Sequence, residues 1–255
     1  MKIITIANQK GGAGKTSTAA ALWFYLNAHG KKALAIDMDA QCNLTFTAGA
    51  TAGGGTILGV LSGEIEPAAA IQHTPNGDII PATLLLNGAD VTLNLLGREY
   101  LLRKALDKIT GYDFVIIDTP PHLGVLTVNA LQVATNVIIP TQADIFSAHG
   151  IVQLYSNIET IRRGYNNPTL KVDGILLTRF SDRTILSRDI QESLLETAEQ
   201  MGTRVYKATI REAIAVKEAQ VKKQSIFDAA PGSNIAKDYT EFINEFLEGL
   251  DNGKE

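Results

Sequence analysis

Cysteine occurs once, at Cys42. A single thiol excludes a disulfide framework and a four-cysteine metal site, and it fits a reducing compartment such as the cytoplasm. Histidine is scarce as well: His29, His73, His122 and His149 are scattered without metal-ligand spacing and read as structural residues. No stretch approaches the roughly 20 apolar residues that cross a bilayer, and the first residues read as a core strand rather than a cleaved leader. No Ser/Pro/Gly-rich linker divides the chain, since the one glycine cluster, at Gly53, Gly54 and Gly55, reads as a loop after a polar stretch. Neither sign of charge dominates, with 23 Lys and Arg against 27 Asp and Glu. What is present, 255 residues of which 45% are hydrophobic, can bury a large core. The expectation is a single domain over residues 1–255.

Apolar runs and helical patterns alternate along that length. Short strands are expected at residues 3–7, 32–37 (KALAID), 112–118 (YDFVIID), 136–140 (NVIIP) and 172–178 (VDGILLT), with a weaker one at 204–208. Helical patterns cover 16–27, 84–109, 123–133, 146–163 and 184–200. Such alternation implies an α/β fold, a mostly parallel sheet with helices on both faces. Ligands of such sheets sit at the carboxyl ends of the strands.

Immediately after the first expected strand comes KGGAGKT, Lys10 to Thr16, and then a helix. Strand, glycine loop and helix form the context of a phosphate-binding loop. Gly11, Gly12 and Gly14 let the backbone curl so that N–H groups point inward, and the helix N-terminus adds partial positive charge. Lys15 would reach the outer phosphates and the Thr16 hydroxyl would ligate Mg²⁺, with Ala13 and Ser17 completing the cradle. The loop is a variant, because Gln9 stands where the first glycine of G-x-x-x-x-G-K-[ST] belongs. It also has a second lysine, Lys10, which a phosphate loop does not need.

Three carboxylates fall at expected strand ends. Asp118 closes an apolar run before Pro120 and Pro121, and a buried acid there calls for a cation or a hydrogen-bond partner. It either caps the next helix or faces the Mg²⁺ near Thr16; beside a phosphate loop the second is favoured. Asp37 and Asp39, two apart, face the same side. One can support the metal or the Lys15 region while the other orients an attacking water.

These segments resemble a known family. KGGAGKT is similar to the deviant Walker A loop of the ParA/MinD ATPases, IDMDAQCNLT resembles the ParA motif DxDPQxN, and YDFVIIDTPP its Walker B strand. IREAIAVKEAQ and QSIFDAAPGSNIAKDY resemble the closing segment of plasmid-type partition proteins, so the likeness spans nearly the whole chain. Two departures stand out, Ala40 for the usual proline and Cys42 for the usual glycine. The resemblance implies a P-loop ATPase that binds ATP and Mg²⁺ and forms an ATP-bound homodimer in which Lys10 crosses to the partner's nucleotide. It implies that Asp39 positions the attacking water, that Thr16 and Asp118 hold Mg²⁺ with Asp37 in support, and that Thr178, Arg211 and Glu212 lie near the adenine.

The same resemblance implies a cytoplasmic, nucleoid-associated protein that binds DNA without sequence preference and is stimulated by a ParB-like adaptor. Arg204, Lys207, Lys217, Lys222 and Lys223, with Arg211, give a basic cluster that could serve the DNA. An N-terminal operator-reading helix-turn-helix is not expected, because the first strand begins at once. A MinD-like membrane role needs a basic amphipathic tail, whereas the segment DYTEFINEFLEGLDNGKE is acidic, so no membrane partner is expected. A cluster-carrying relative needs more thiols than Cys42.

Overall fold

The computed structural model describes residues 1–94, 96–144, 147–164, 167–181 and 185–252. Seven strands, β1 (Lys2–Ile6), β2 (Ala33–Asp37), β3 (Gln72–Thr74), β4 (Gly77–Ile80), β5 (Phe114–Asp118), β6 (Asn136–Gln142) and β7 (Lys171–Thr178), form one sheet. Their order is β3-β4-β2-β5-β1-β6-β7. All neighbours are parallel except the short β3–β4 hairpin at one edge. The expected α/β architecture is therefore the observed one.

The strands are apolar throughout because both faces are covered, and alternate side chains enter different cores. Ile4, Ile6, Ile116, Ile138 and Leu176 meet the first helix, Lys15–Ala28, and the last, Asn234–Asn252. Leu34, Ile36, Val115 and Ile117 point the other way, toward the helices Leu101–Leu106 and Val125–Val133. Further along that opposite face, Val137, Ile139, Ile175 and Leu177 pack with residues of Ser147–Gly164 and Ile185–Gln200. Trp23 is fully buried, yet its indole N–H is satisfied by the Ala33 carbonyl at 3.0 Å, which ties the first helix to the start of β2.

Several elements differ from the sequence expectation. The helical pattern at 84–109 is broken into the short helices Ala89–Thr92 and Leu101–Leu106 and 3₁₀ turns, with Gly97 at φ 73° between them. The segment 204–208 is no regular strand; it touches β7 through an isolated bridge, Ile175 with Val205, and Ile210 just beyond it bridges Thr178. The hairpin β3–β4 turns at Pro75 and Asn76, a turn signal whose flanking strands are too short to show alternation. Asn234–Asn252 is a long amphipathic helix whose apolar face, including Ile235, Tyr239, Phe242, Ile243 and Phe246, is buried in the core. The proposed helix starts at residues 146 and 184 lie outside the described residues.

The strand order brings the carboxyl ends of β2, β5, β1, β6 and β7 side by side. In register, Asp118 stands between Ile6 and Asp37. The loops after β1, β2 and β5 thus open on the same end of the sheet.

Candidate nucleotide site

The loop after β1 is held from three directions. Asn8 Nδ2 donates to the Pro140 carbonyl at 2.6 Å, Gln142 Nε2 to Gly12 O at 2.7 Å, and the Thr178 hydroxyl is shared between Ala13 O (2.9 Å) and Thr141 O (3.1 Å). Gly14 adopts φ 88° and sits so close to Thr178 that an added Cβ would lie 3.2 Å from its methyl group. Only glycine satisfies both demands. Gly14 is also the N-cap of Lys15–Ala28 and supplies no side-chain cap, so the first-turn N–H groups face the loop's concavity. A cavity of about 350 Å³ opens there, lined by Gly11 to Ser17, Asp39, Gln41, Asn43, Pro121, Arg179 and Gln220.

The two lysines have different fates. Lys15 is buried, lines that cavity and donates from Nζ to the Lys10 carbonyl at 3.2 Å. Burial lowers its pKa, an effect that Asp118 and Asp39 partly offset. Lys10 is not among the lining residues; its amide is held by Asn8 Oδ1 at 2.9 Å and its ammonium pairs with Asp144 beyond the end of β6.

Of the three acids, Asp118 fits a divalent cation. It is fully buried, and neither of its oxygens makes a hydrogen bond of normal geometry among the described residues. Burial first, and then the charge of Asp37, push its pKa well above the usual carboxylate range, with Thr16 and Lys15 offsetting this only in part. A buried acid with unfilled oxygens facing a threonine hydroxyl is the donor set of a hard cation. Asp37 is held differently. Its Oδ2 accepts from the Thr45 amide and hydroxyl, both at 2.8 Å, and its Oδ1 from the Asp39 amide at 3.1 Å. These bonds shape the loop after β2, and burial raises the pKa of Asp37 to about 6.

That loop presents Asp39 to the cavity, with one oxygen held by the Gln41 amide at 3.0 Å. Cys42 follows at φ 55°, a left-handed conformation that costs a non-glycine residue about 1 kcal/mol. The departure from the family's glycine thus lands where the backbone asks for one. Burial, then Asp37 and Asp39, push the Cys42 thiol pKa up.

A second cavity of about 150 Å³ adjoins the first and shares Gly14, Ser17, Arg179 and Gln220 with it. Thr178, Ile210, Arg211, Glu212, Val216, Lys217 and Tyr239 are among its walls. Thr178, Arg211 and Glu212 thus line one cavity. Thr178 clasps the phosphate loop, Arg211 is bonded to Asp238, and Glu212 pairs with Arg179 at 3.8 Å. Arg179, Gln142, Asp144, Gln220 and Tyr239 belong to this region without any local sequence signal; only their long-range contacts place them.

The residues of the basic cluster differ in what they touch. Arg204 donates to the buried Asp173 at 2.9 Å and stacks over Tyr206, so its charge serves the core. Lys207 lines a separate cavity with Glu241, Glu245 and Glu248, whereas Lys217 borders the cavity shared with Tyr239. Lys222 and Lys223 remain exposed at the end of the helix Ile214–Val221, the Lys223 ammonium lying over the Phe46 ring at 5.3 Å.

A family model described as an AAA domain matches residues 1–172. The chain is 37% identical over 245 residues to the chromosome-partitioning ATPase Soj of Thermus thermophilus, covering 96% of this chain and 94% of that one. It is 39% identical over 227 residues to the chromosome partitioning protein ParA of Caulobacter vibrioides, covering 86% and 84%. The chain belongs to the ParA/Soj family of partition ATPases. A crystal structure described as cobyrinic acid a,c-diamide synthase from Mycobacterium smegmatis, with bound ATP analogue and magnesium, superposes with a TM-score of 0.86 at 35% identity, covering 100% of this chain and 97% of that one. This ParA-family chain is accordingly an ATPase.

Proposed function

We propose that the chain is a nucleotide-switched partition ATPase, acting as one domain, whose ATP-bound form pairs with a second copy and binds DNA without sequence preference in the cytoplasm, on the nucleoid. A ParB-like adaptor would stimulate its hydrolysis. The observation that carries this reading is the separation of the two lysines: Lys15 fills the chain's own phosphate cavity, and Lys10 stays outside it on Asp144. A cation kept beside one phosphate loop but out of it is available to the phosphates of a facing subunit. The Lys10–Asp144 pair has partly exposed side chains, 41% and 29% accessible, so exchanging Asp144 for a phosphate oxygen costs little.

In the proposed cycle the loop amides and Lys15 bind the triphosphate, and the partner's Lys10 neutralises charge on the transferring group, as an arginine finger does. Asp39 orients the attacking water, and Asp37 holds Asp39 in place through its amide. Thr16 and Asp118 would hold magnesium, whose positive charge would offset that of the phosphates. Because the nucleotide is part of the interface, dimerisation and nucleotide state are linked. Two-fold pairing doubles any lysine patch, so Lys217, Lys222 and Lys223 gain affinity for phosphate backbone only in the ATP state.

Two other readings find less support. Membrane placement would need a free apolar helix face, and that of Asn234–Asn252 is buried in the core. Amide synthesis, named for the mycobacterial structure, would require a nitrogen source; drawing it from glutamine takes a reactive thiolate, and the pKa of Cys42 is pushed the wrong way. The direct test is Lys10→Ala. The variant is expected to keep MgATP binding within a few-fold while losing the ATP-dependent dimer in light scattering. An undiminished dimer would reduce Lys10 to a loop residue.

A further inference from the structure

The cavity beside Tyr239 is walled by the end of β7, by residues 210–217 and by the last helix. Resting on the nucleotide reading above, we propose that Arg211 and Asp238 form a clasp that positions this wall around the nucleotide base, so that Arg211 acts as a positioning residue.

Asp238 is buried, 6% exposed, and its carboxylate is filled by a single residue. Oδ2 accepts from the Arg211 amide at 3.1 Å and from Nε at 2.7 Å, and Oδ1 accepts from Nη2 at 2.8 Å. A two-toothed guanidinium contact plus a main-chain bond fixes both the side chain and the backbone of residue 211. Nε and Nη2 of the guanidinium are thereby committed to Asp238.

What the clasp holds is the thin part of the wall. Residue 210 is tied to the sheet, Ile210 N donating to Leu177 O at 2.8 Å and Phe180 N to Ile210 O at 3.0 Å. Beyond it, Arg211, Glu212 and Ala213 lead into Ile214–Val221, whose Val216, Lys217 and Gln220 face the cavity. The other side-chain tie here, Glu212 to Arg179 at 3.8 Å, is between exposed groups and weak. Asp238 is also next to Tyr239, which is 2% exposed and lines the same cavity with Ile235. One turn of the last helix therefore supplies both a wall of the base cavity and the anchor of the facing loop.

The phosphate loop hangs from different supports, the bonds of Asn8, Gln142 and Thr178 to its backbone and neighbours. Opening the clasp should loosen the base subsite and leave the phosphate subsite intact. That separation distinguishes a positioning role from general stabilisation.

The test compares a ligand that carries a base with one that does not, MgADP against magnesium tripolyphosphate, by calorimetry on the full chain. Asp238→Asn and Arg211→Lys are measured together with the double variant Arg211→Met/Asp238→Leu, which removes both charges and leaves no buried ion unpaired. The double variant is expected to bind MgADP about tenfold more weakly and tripolyphosphate within about twofold of the parent, with Arg211→Lys intermediate because it keeps the charge but loses the fork. Equal losses for both ligands, or an unchanged MgADP affinity in the double variant, would overturn the clasp. If the unmodified chain itself binds neither ligand, the nucleotide reading fails instead.

Discussion

Lys15→Ala is expected to abolish measurable MgATP binding at micromolar nucleotide. Lys15 is the one lysine among the described residues that lines the phosphate cavity, and each charge-assisted bond from it to a phosphate oxygen contributes roughly 1.5–3 kcal/mol. Losing two such bonds lowers affinity by roughly two to four orders of magnitude. The fold should survive the change, because burial already disfavours the charged lysine in the free protein and its Nζ satisfies only the Lys10 carbonyl. Calorimetry with a parallel thermal melt checks both halves. Retained affinity would show that the glycine loop is not the phosphate site.

Asp39→Ala should act on a different step. Its carboxylate borders the cavity with one oxygen taken by the Gln41 amide, and Asp37 and Thr45 brace the loop that carries it. Losing a water-orienting base lowers turnover by roughly 10²–10⁴-fold, while the amide cradle that binds the triphosphate is untouched. Removing an acid beside the phosphates also lowers repulsion in the nucleotide-bound state. The variant should accumulate as an ATP-bound dimer with single-turnover hydrolysis reduced by that factor. Turnover at the parent rate would reassign the water to another group.

The parts of this site that could be read from sequence are those with local grammar. The phosphate loop is a contiguous strand, glycine turn and helix, and Asp118 announces itself as an acid ending an apolar strand. Asp37 was harder, because its hydrogen bonds come from Thr45 in a helix whose position depends on the left-handed turn at Cys42. Arg204 looks like any surface cation in sequence; only the pairing of residues 204–206 with β7 shows Asp173 beneath it. The Lys10–Asp144 and Arg211–Asp238 pairs likewise join segments far apart in the chain. Helical periodicity at 84–109 does not give one helix: the first piece stops at Thr92, and Gly97 in the left-handed region precedes the turn that leads into Leu101–Leu106.

The central claim is a DNA-binding switch thrown by ATP, and fluorescence anisotropy of unrelated DNA duplexes with the Asp39→Ala variant tests it most directly. MgATP should confer binding to all sequences alike, MgADP should not, and affinity should fall steeply with salt as counterions are released. Replacing Lys222 and Lys223 by alanine should weaken binding on every sequence and make the salt slope shallower by roughly one per lost contact. Equal binding in ADP and ATP, or an ATP-bound dimer that ignores DNA at low salt while adhering to anionic vesicles, would contradict the account.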